Sequence, residues 1–285
     1  MQKLKQYVGS SFVRKAFKKS YCTKVPIENH VLPHSLIPWR LTPEGYKMVL
    51  VNHQTSETLR RKAKLSMLKH FYQEAPIPLA LRLNDRINQG CEQTLKYLDN
   101  EMDIYLDSGV SIITCDKSNE VVGCGMNRIW ERNPNYDIDF LTDVKSWHNL
   151  AANNVANKDR ISAVLDWRNQ QLLHIYNLGQ KLLHSSSKRY AFYLGMAYIT
   201  QSARNDGITS VIMIRNLIKN LDLNDCLLFF QSNFLSWDKS VYQIFPNAQI
   251  VDQVLYEDEE LIVNGERYFE KIKHLHGLKF FAEFT

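Results

Sequence analysis

Apolar positions along this chain follow two rhythms. Compact apolar runs mark buried strands, and apolar residues recurring every third or fourth position mark helices. Gly45 to Asn52 predicts a first strand. Ser56 to Phe71 has helical spacing, with Ser56 placed as an N-cap. Pro76 and Pro78 interrupt the next stretch, which predicts a broken turn and a short helix, and Cys91 to Asp107 predicts a longer one. Gly109 to Thr114 and Val121 to Trp130 flank the turn residues Asp116 to Glu120 and predict an antiparallel hairpin. Pro134 to Ser187 reads as mostly helical, with Phe140 to Leu150 and Ile161 to Leu183 carrying the periodicity. An apolar run then ends at Ile199, a polar turn contains Gly207, and Val211, Ile214, Leu217, Ile218 and Leu221 share one helical face. Asp225 to Gln231 is a strand, Asn233 to Phe245 a helix, and Ile250 to Tyr256 and Leu278 to Phe284 are strands. An Asn-Gly turn signal lies within Val263 to Arg267. This order predicts a mixed α/β (α+β) domain with helices on the faces of a central sheet.

Composition narrows the class. No apolar run approaches the roughly 18 residues that span a bilayer. The five cysteines are odd in number and widely spaced, without a Cys-x-x-Cys pair. That argues against a disulfide framework or zinc site and for a reducing compartment. His274 and His276 alternate on a predicted strand as a surface pair, and no metal is assigned. The net charge of +5 suits an anionic ligand without requiring one. Lys3, Lys5, Arg14, Lys15, Lys18, Lys19 and Lys24 precede the first acidic residue, Glu28. This basic stretch reads either as a solvated tail or as a mitochondrial targeting helix, which leaves a cytoplasmic and a mitochondrial location open. Pro26, Pro33, Pro38 and Pro43 punctuate an extended arm, so residues 1–43 read as an arm and 44–285 as the domain. No interleaved aromatic and basic patch appears elsewhere, and nucleic acid is not an expected partner.

The candidate chemistry centres on Arg204, Asn205, Asp206, Gly207, Ile208, Thr209 and Ser210. They follow a strand and open a helix, where N–H groups without intrahelical partners and the helix dipole suit a pyrophosphate. Arg204-x-x-Gly207-x-Thr209 resembles the acyl-coenzyme A signature of the GNAT acetyltransferases, Gln/Arg-x-x-Gly-x-Gly/Ala. Other phrases appear in the order typical of the insect and nematode arylalkylamine N-acetyltransferase-like branch. His70 to Ile77 is similar to its His-Phe-Phe-x-Asp-Glu-Pro-Leu phrase, Gly109 to Ser111 to its Gly-x-Ser strand start, and Val122 to Asn127 to its Val-Gly-x-x-x-Asn strand. The resemblance runs from about Glu44 to the C-terminus, through a final strand pair spanning Val254 to Phe284. It implies a GNAT fold with a mostly antiparallel sheet, acetyl-coenzyme A as cofactor, and acetyl transfer to a small primary amine. A monomer or weak dimer without a membrane span is expected.

The resemblance also assigns roles. The turn from Arg204 to Ser210 would anchor the pyrophosphate, and backbone near Ile199 would face the thioester or pantetheine. Gly195 marks either a strand bulge or a close packing contact. The family's general-base glutamate aligns with Ala75, and Glu74 takes the preceding aspartate's place. Glu74 is thus either the proton acceptor or a solvated turn residue, with water or Asp85 as substitutes. Tyr242 occupies the place of a general-acid tyrosine or serves as a core aromatic, and Ser236 and Ser240 are alternatives. The family's glycines at two turn positions are Asn205 and Thr209 here. These departures support a second expectation, a coenzyme A-binding protein without turnover.

Overall fold

The computed structural model describes residues 36–37, 45–52, 54–134, 160–219, 221, 223–232, 242, 245–255, 262–263, 266–269, 272 and 277–284. Predicted features at Phe140 to Leu150, His274 and His276 lie outside these residues, as do Ser236 and Ser240.

Ten strands and eight helices are described. In chain order they are β1 (Leu36–Ile37), β2 (Lys47–Val51), α1 (Glu57–Lys69), α2 (Phe71–Glu74), α3 (Pro76–Ala80), α4 (Leu83–Asn88) and α5 (Glu92–Leu106). Next are β3 (Ser111–Cys115), β4 (Val121–Glu131), α6 (Arg160–His184), β5 (Tyr190–Ile199), α7 (Gln201–Asn205) and α8 (Ser210–Lys219). The chain closes with β6 (Cys226–Ser232), β7 (Gln249–Leu255), β8 (Ile262–Val263), β9 (Glu266–Arg267) and β10 (Gly277–Phe284). The main sheet runs β1-β2-β3-β4-β5-β6-β10-β7. Every pairing in it is antiparallel except β5 with β6.

Local chemistry accounts for the elements. Ser56 caps α1, its hydroxyl accepting from the Leu59 N–H at 3.3 Å, and Ala63 and Met67 bury one stripe against the sheet. Helix α5 buries Leu98, Glu101, Met102, Tyr105 and Leu106 at helical spacing. The β3–β4 turn is held by Asp116, whose carboxylate accepts from the N–H groups of Ser118 and Glu120. Asn119 there takes a left-handed φ of 60°.

The core has two halves. On one sheet face, Ile113, Cys124, Met126, Tyr193, Met196 and Phe229 pack under α1, α5 and α6. On the other face, Ile112, Phe192, Leu194, Leu228 and Phe281 pack under Met213, Ile214 and Leu217 of α8. Strands β4 and β5 are covered on both sides, which is why their sequences run apolar almost without alternation. The aromatics Trp167, Tyr176 and Tyr193 are core residues. Between α5 and α6 the Arg168 guanidinium lies 2.6 Å from the Glu101 carboxylate, both buried. Arg168 also donates to the Gln171 side chain.

The fold departs from the sequence expectation in one place that matters. Ile199 and Ser210 are not joined by a single tight turn. A five-residue helix, α7, intervenes, and Arg204 and Asn205 belong to it.

Candidate active site

The site is built where two neighbouring strands part. The parallel ladder between β5 and β6 runs from Tyr190–Cys226 to Leu194–Phe230 and stops, although β5 continues to Ile199 and β6 to Ser232. A bulge lies at this point. Opposite β4 the register jumps between Met126 and Asn127, whose partners are Met196 and Leu194, and Gly195 is left unpaired. A Cβ on Gly195 would lie 2.5 Å from the Met126 carbonyl oxygen and 2.7 Å from the Tyr105 ring. Both sequence readings of Gly195 therefore hold. It forms a bulge, and it admits close packing against β4 and α5.

Beyond the bulge β5 offers a polar edge. The Thr200 N–H donates to the Val122 carbonyl at 2.8 Å. Tyr198 stands opposite Cys124 in the same ladder. By the alternation of a strand, Ala197 and Ile199 then turn their N–H groups toward the side that β6 has left. Ile199, singled out from sequence, is at this edge.

Next comes α7, closed by a Schellman motif. The Ile208 N–H donates to the Ala203 carbonyl at 2.9 Å and the Gly207 N–H to the Arg204 carbonyl at 3.0 Å. Gly207 holds φ +86°, the left-handed value that such a closure requires, and a Cβ there would meet nothing within 4 Å. Ile208 is wholly buried in the core under α8, which pins the turn to the sheet. Asn205 stands at a helical position with its side chain accepting from Gln201 at 2.8 Å, so a glycine is not needed there. Thr209 caps α8, its Oγ1 accepting from the Ile212 N–H at 3.2 Å. The N–H groups of Thr209, Ser210 and Val211 have no acceptor among the described residues. Only the later part of the predicted turn thus forms a helix N-terminus. Arg204 contributes an exposed guanidinium from the end of α7.

Two further groups bracket this turn. The Tyr46 hydroxyl donates to the Asp206 carboxylate, and this bond pushes the phenol up to about 12. The Glu74 carboxylate, at the end of α2, lies 3.9 Å from the Arg204 guanidinium. Glu74 is therefore on the same side of the molecule as the turn, and Ala75 separates α2 from α3. Asp85 is exposed on α4.

On the helix-covered side of the open strand, the His70 and Tyr198 rings stack with centroids 5.5 Å apart and planes 19° from parallel. The Tyr198 hydroxyl donates to Ser66, and the Ser66 hydroxyl donates to the Val121 carbonyl at 3.1 Å. Burial pushes the His70 imidazole below its ordinary value, with Lys69 acting in the same direction and Glu74 against it. Sequence reasoning missed His70, Tyr46 and Ser66. His70 entered the sequence reading only as the first residue of the phrase ending at Ile77, four residues before Glu74. Tyr242 is 44% exposed and meets Phe281 edge-on at 6.0 Å, so the core-aromatic reading of this residue is corrected.

Acetyl-coenzyme A is the group that the sequence resemblance implies, and the donor set is compatible with a diphosphate. The set comprises unpaired N–H groups at a helix start, one exposed guanidinium, and open space over Gly207.

Comparison with solved structures gives three informative likenesses. Arylalkylamine N-acetyltransferase 2 from Aedes aegypti superposes with a TM-score of 0.55 at 16% identity, over 84% of this chain and 98% of that one. A putative arylalkylamine N-acetyltransferase 7 from the same mosquito gives 0.57 at 12% identity, over 84% and 86%. The polyamine N-acetyltransferase of Drosophila melanogaster, which forms N-acetylagmatine, gives 0.53 at 11% identity, over 84% and 100%. No family model and no curated protein matches the sequence. At these identities the likeness establishes the fold, and this chain has the GNAT fold.

Proposed function

With the GNAT fold as premise, we propose that this chain is an acetyl-coenzyme A-dependent N-acetyltransferase for a small primary amine. The observation that carries the proposal is the continuity of the parted strand with the phosphate turn. The free N–H edge of Ala197 and Ile199 leads directly into Arg204, Gly207 and the start of α8. A long acyl thioester with a diphosphate at its far end fits such a track.

In this reading Arg204 and the N–H groups of Thr209, Ser210 and Val211 hold the diphosphate. The cofactor, when bound, supplies an acetyl group already activated as a thioester. The Ala197 and Ile199 N–H groups would face its carbonyl, where charge would build as the amine attacks. An alkylammonium, with a pKa near 10, must first lose a proton, which costs about 4–5 kcal/mol at pH 7. Glu74 is one carboxylate within reach of the turn. Tyr242, Ser236 and Ser240 stay the proposed sources of a proton for the departing sulfur. The arylalkylamines and agmatine of the similar proteins define the first panel of acceptors.

The second reading keeps the cofactor and drops turnover. It is favoured by Ala75 at the family's base position and by Glu74 facing Arg204 instead of standing free. One experiment separates the two. Acetyl-coenzyme A is titrated calorimetrically, and product is followed over tyramine, phenylethylamine, agmatine and spermidine. Binding with product supports the enzyme, binding without product supports the second reading, and no binding removes both.

A further inference from the structure

Among the described residues around the open strand and the turn, the candidate proton acceptors are His70 and the carboxylates of Glu74 and Asp206, and Asp206 already accepts from the Tyr46 hydroxyl. Glu74 is largely exposed, 67% by side chain, and its carboxylate faces Arg204. His70 is half-buried, and neither of its ring nitrogens has a hydrogen-bond partner among the described residues. Its ring is fixed flat against Tyr198, which belongs to the open part of β5. Tyr198 is itself held by Ser66. The His70 position therefore has the features of a mounted base, with a ring held against Tyr198 and nitrogens that have no partner among the described residues.

We infer that His70 is the general base that deprotonates the acceptor amine, an inference that rests on the acetyl-transfer reading above. The acceptor arrives as an ammonium ion and gives one proton to a His70 ring nitrogen. The neutral amine forms the C–N bond as the acetyl C–S bond breaks. The departing sulfur takes a proton from the general acid proposed above, the second amine proton replenishes that acid, and His70 returns its own proton to solvent. The groups acting on the ring are Lys69, which disfavours its protonated form, and Glu74, which favours it. Tyr198, pushed up by burial, stays neutral throughout. Burial and Lys69 thus favour the neutral ring that accepts the proton, and Glu74 favours the imidazolium once formed.

The test compares His70→Phe, which keeps a flat ring on Tyr198, with His70→Ala, using the full chain, acetyl-coenzyme A, and tyramine and agmatine as acceptors. Both variants are expected to lose about 10²–10⁴-fold in kcat. They should also lose the acid limb of the kcat/KM profile, while the calorimetric Kd for acetyl-coenzyme A stays within about twofold, a difference under ~0.5 kcal/mol. Added imidazole should restore part of the His70→Ala rate. Independently of turnover, the His70 ring proton resonance should titrate below the ordinary histidine range and shift when tyramine is added. A His70→Phe enzyme with wild-type rate and an intact acid limb would overturn the assignment alone. If that variant fails to fold, imidazole rescue of His70→Ala decides, and absence of rescue counts against the base. A wild-type protein that binds acetyl-coenzyme A but acetylates no amine would overturn the reading beneath it.

Discussion

The Glu74 carboxylate on α2 faces the Arg204 guanidinium on α7 at 3.9 Å, joining the segment before Pro76 to the turn closed by Gly207. The two groups are 67% and 46% exposed, so water screens them and the pair contributes at most about 1 kcal/mol to stability. A diphosphate bound at the turn competes with Glu74 for the same guanidinium. Glu74→Gln is therefore expected to leave the melting temperature within a degree or two and to tighten acetyl-coenzyme A slightly. Arg204→Ala should weaken it about 10–100-fold, the loss of a charge-assisted contact of roughly 1.5–3 kcal/mol. Calorimetry on both variants checks the opposite signs.

Gly207 separates strain from space. At φ +86° an L side chain is strained, yet a Cβ would touch nothing. Gly207→Ala should cost about 1–2 kcal/mol of stability. Gly207→Trp should in addition abolish cofactor binding by filling the open side of the turn. Urea unfolding reads the first effect and calorimetry the second.

Gly195 is the reverse case, limited by contact. Its missing Cβ would collide with the Met126 carbonyl at 2.5 Å, and a backbone atom yields less readily than a side-chain end. Gly195→Ala should destabilise by about 1–3 kcal/mol as the bulge shifts. Because that bulge precedes the open edge, kcat should fall more than the melting shift explains. A variant with unchanged kcat would detach the bulge from the chemistry.

The buried Glu101–Arg168 pair ties α5 to α6 at 2.6 Å. Among the described residues, Glu101 keeps one oxygen, and Gln171 its amide nitrogen, without a partner. Removing one charge strands the other, so Glu101→Gln should cost about 3–5 kcal/mol. Replacing Glu101 and Arg168 together by Met should cost far less, since desolvation of both charges disappears as well. A double-mutant cycle by urea denaturation measures this directly.

Acid sensitivity has a named source. His174 lies 2.8 Å from Asp252, joining α6 to the edge strand β7. Burial of the Asp252 carboxylate pushes it up, but the His174 hydrogen bond and charge win, and the net direction is down. A carboxyl lowered on folding stabilises the native state above its unfolded value, near 4, and loses that contribution as pH falls through its folded value. Asp252→Asn should remove this part of the acid dependence and leave the neutral-pH slope alone, as thermal melts at stepped pH will show.

Most elements were legible from the chain because periodicity is local. The β3–β4 hairpin, the Ser56 cap, the end of β5 at Ile199 and the apolar face of α8 each follow from residues within a few positions of one another. The connection from β5 to α8, proposed above to hold a diphosphate, was legible as a strand-to-helix junction but not in form. Helix α7 exists because Gly207 closes it and Ile208 is drawn into the core beneath α8, a long-range burial that local spacing does not encode. The meeting of Glu74 with Arg204, of His70 with Tyr198, and of Tyr46 with Asp206 was likewise hidden. Each joins side chains carried by different elements, and sheet order alone brings those elements together. The parting of β5 from β6 after Leu194 belongs with these. Apolar pattern tells that both strands are buried, whereas where two strands stop pairing depends on the packing of everything laid across them.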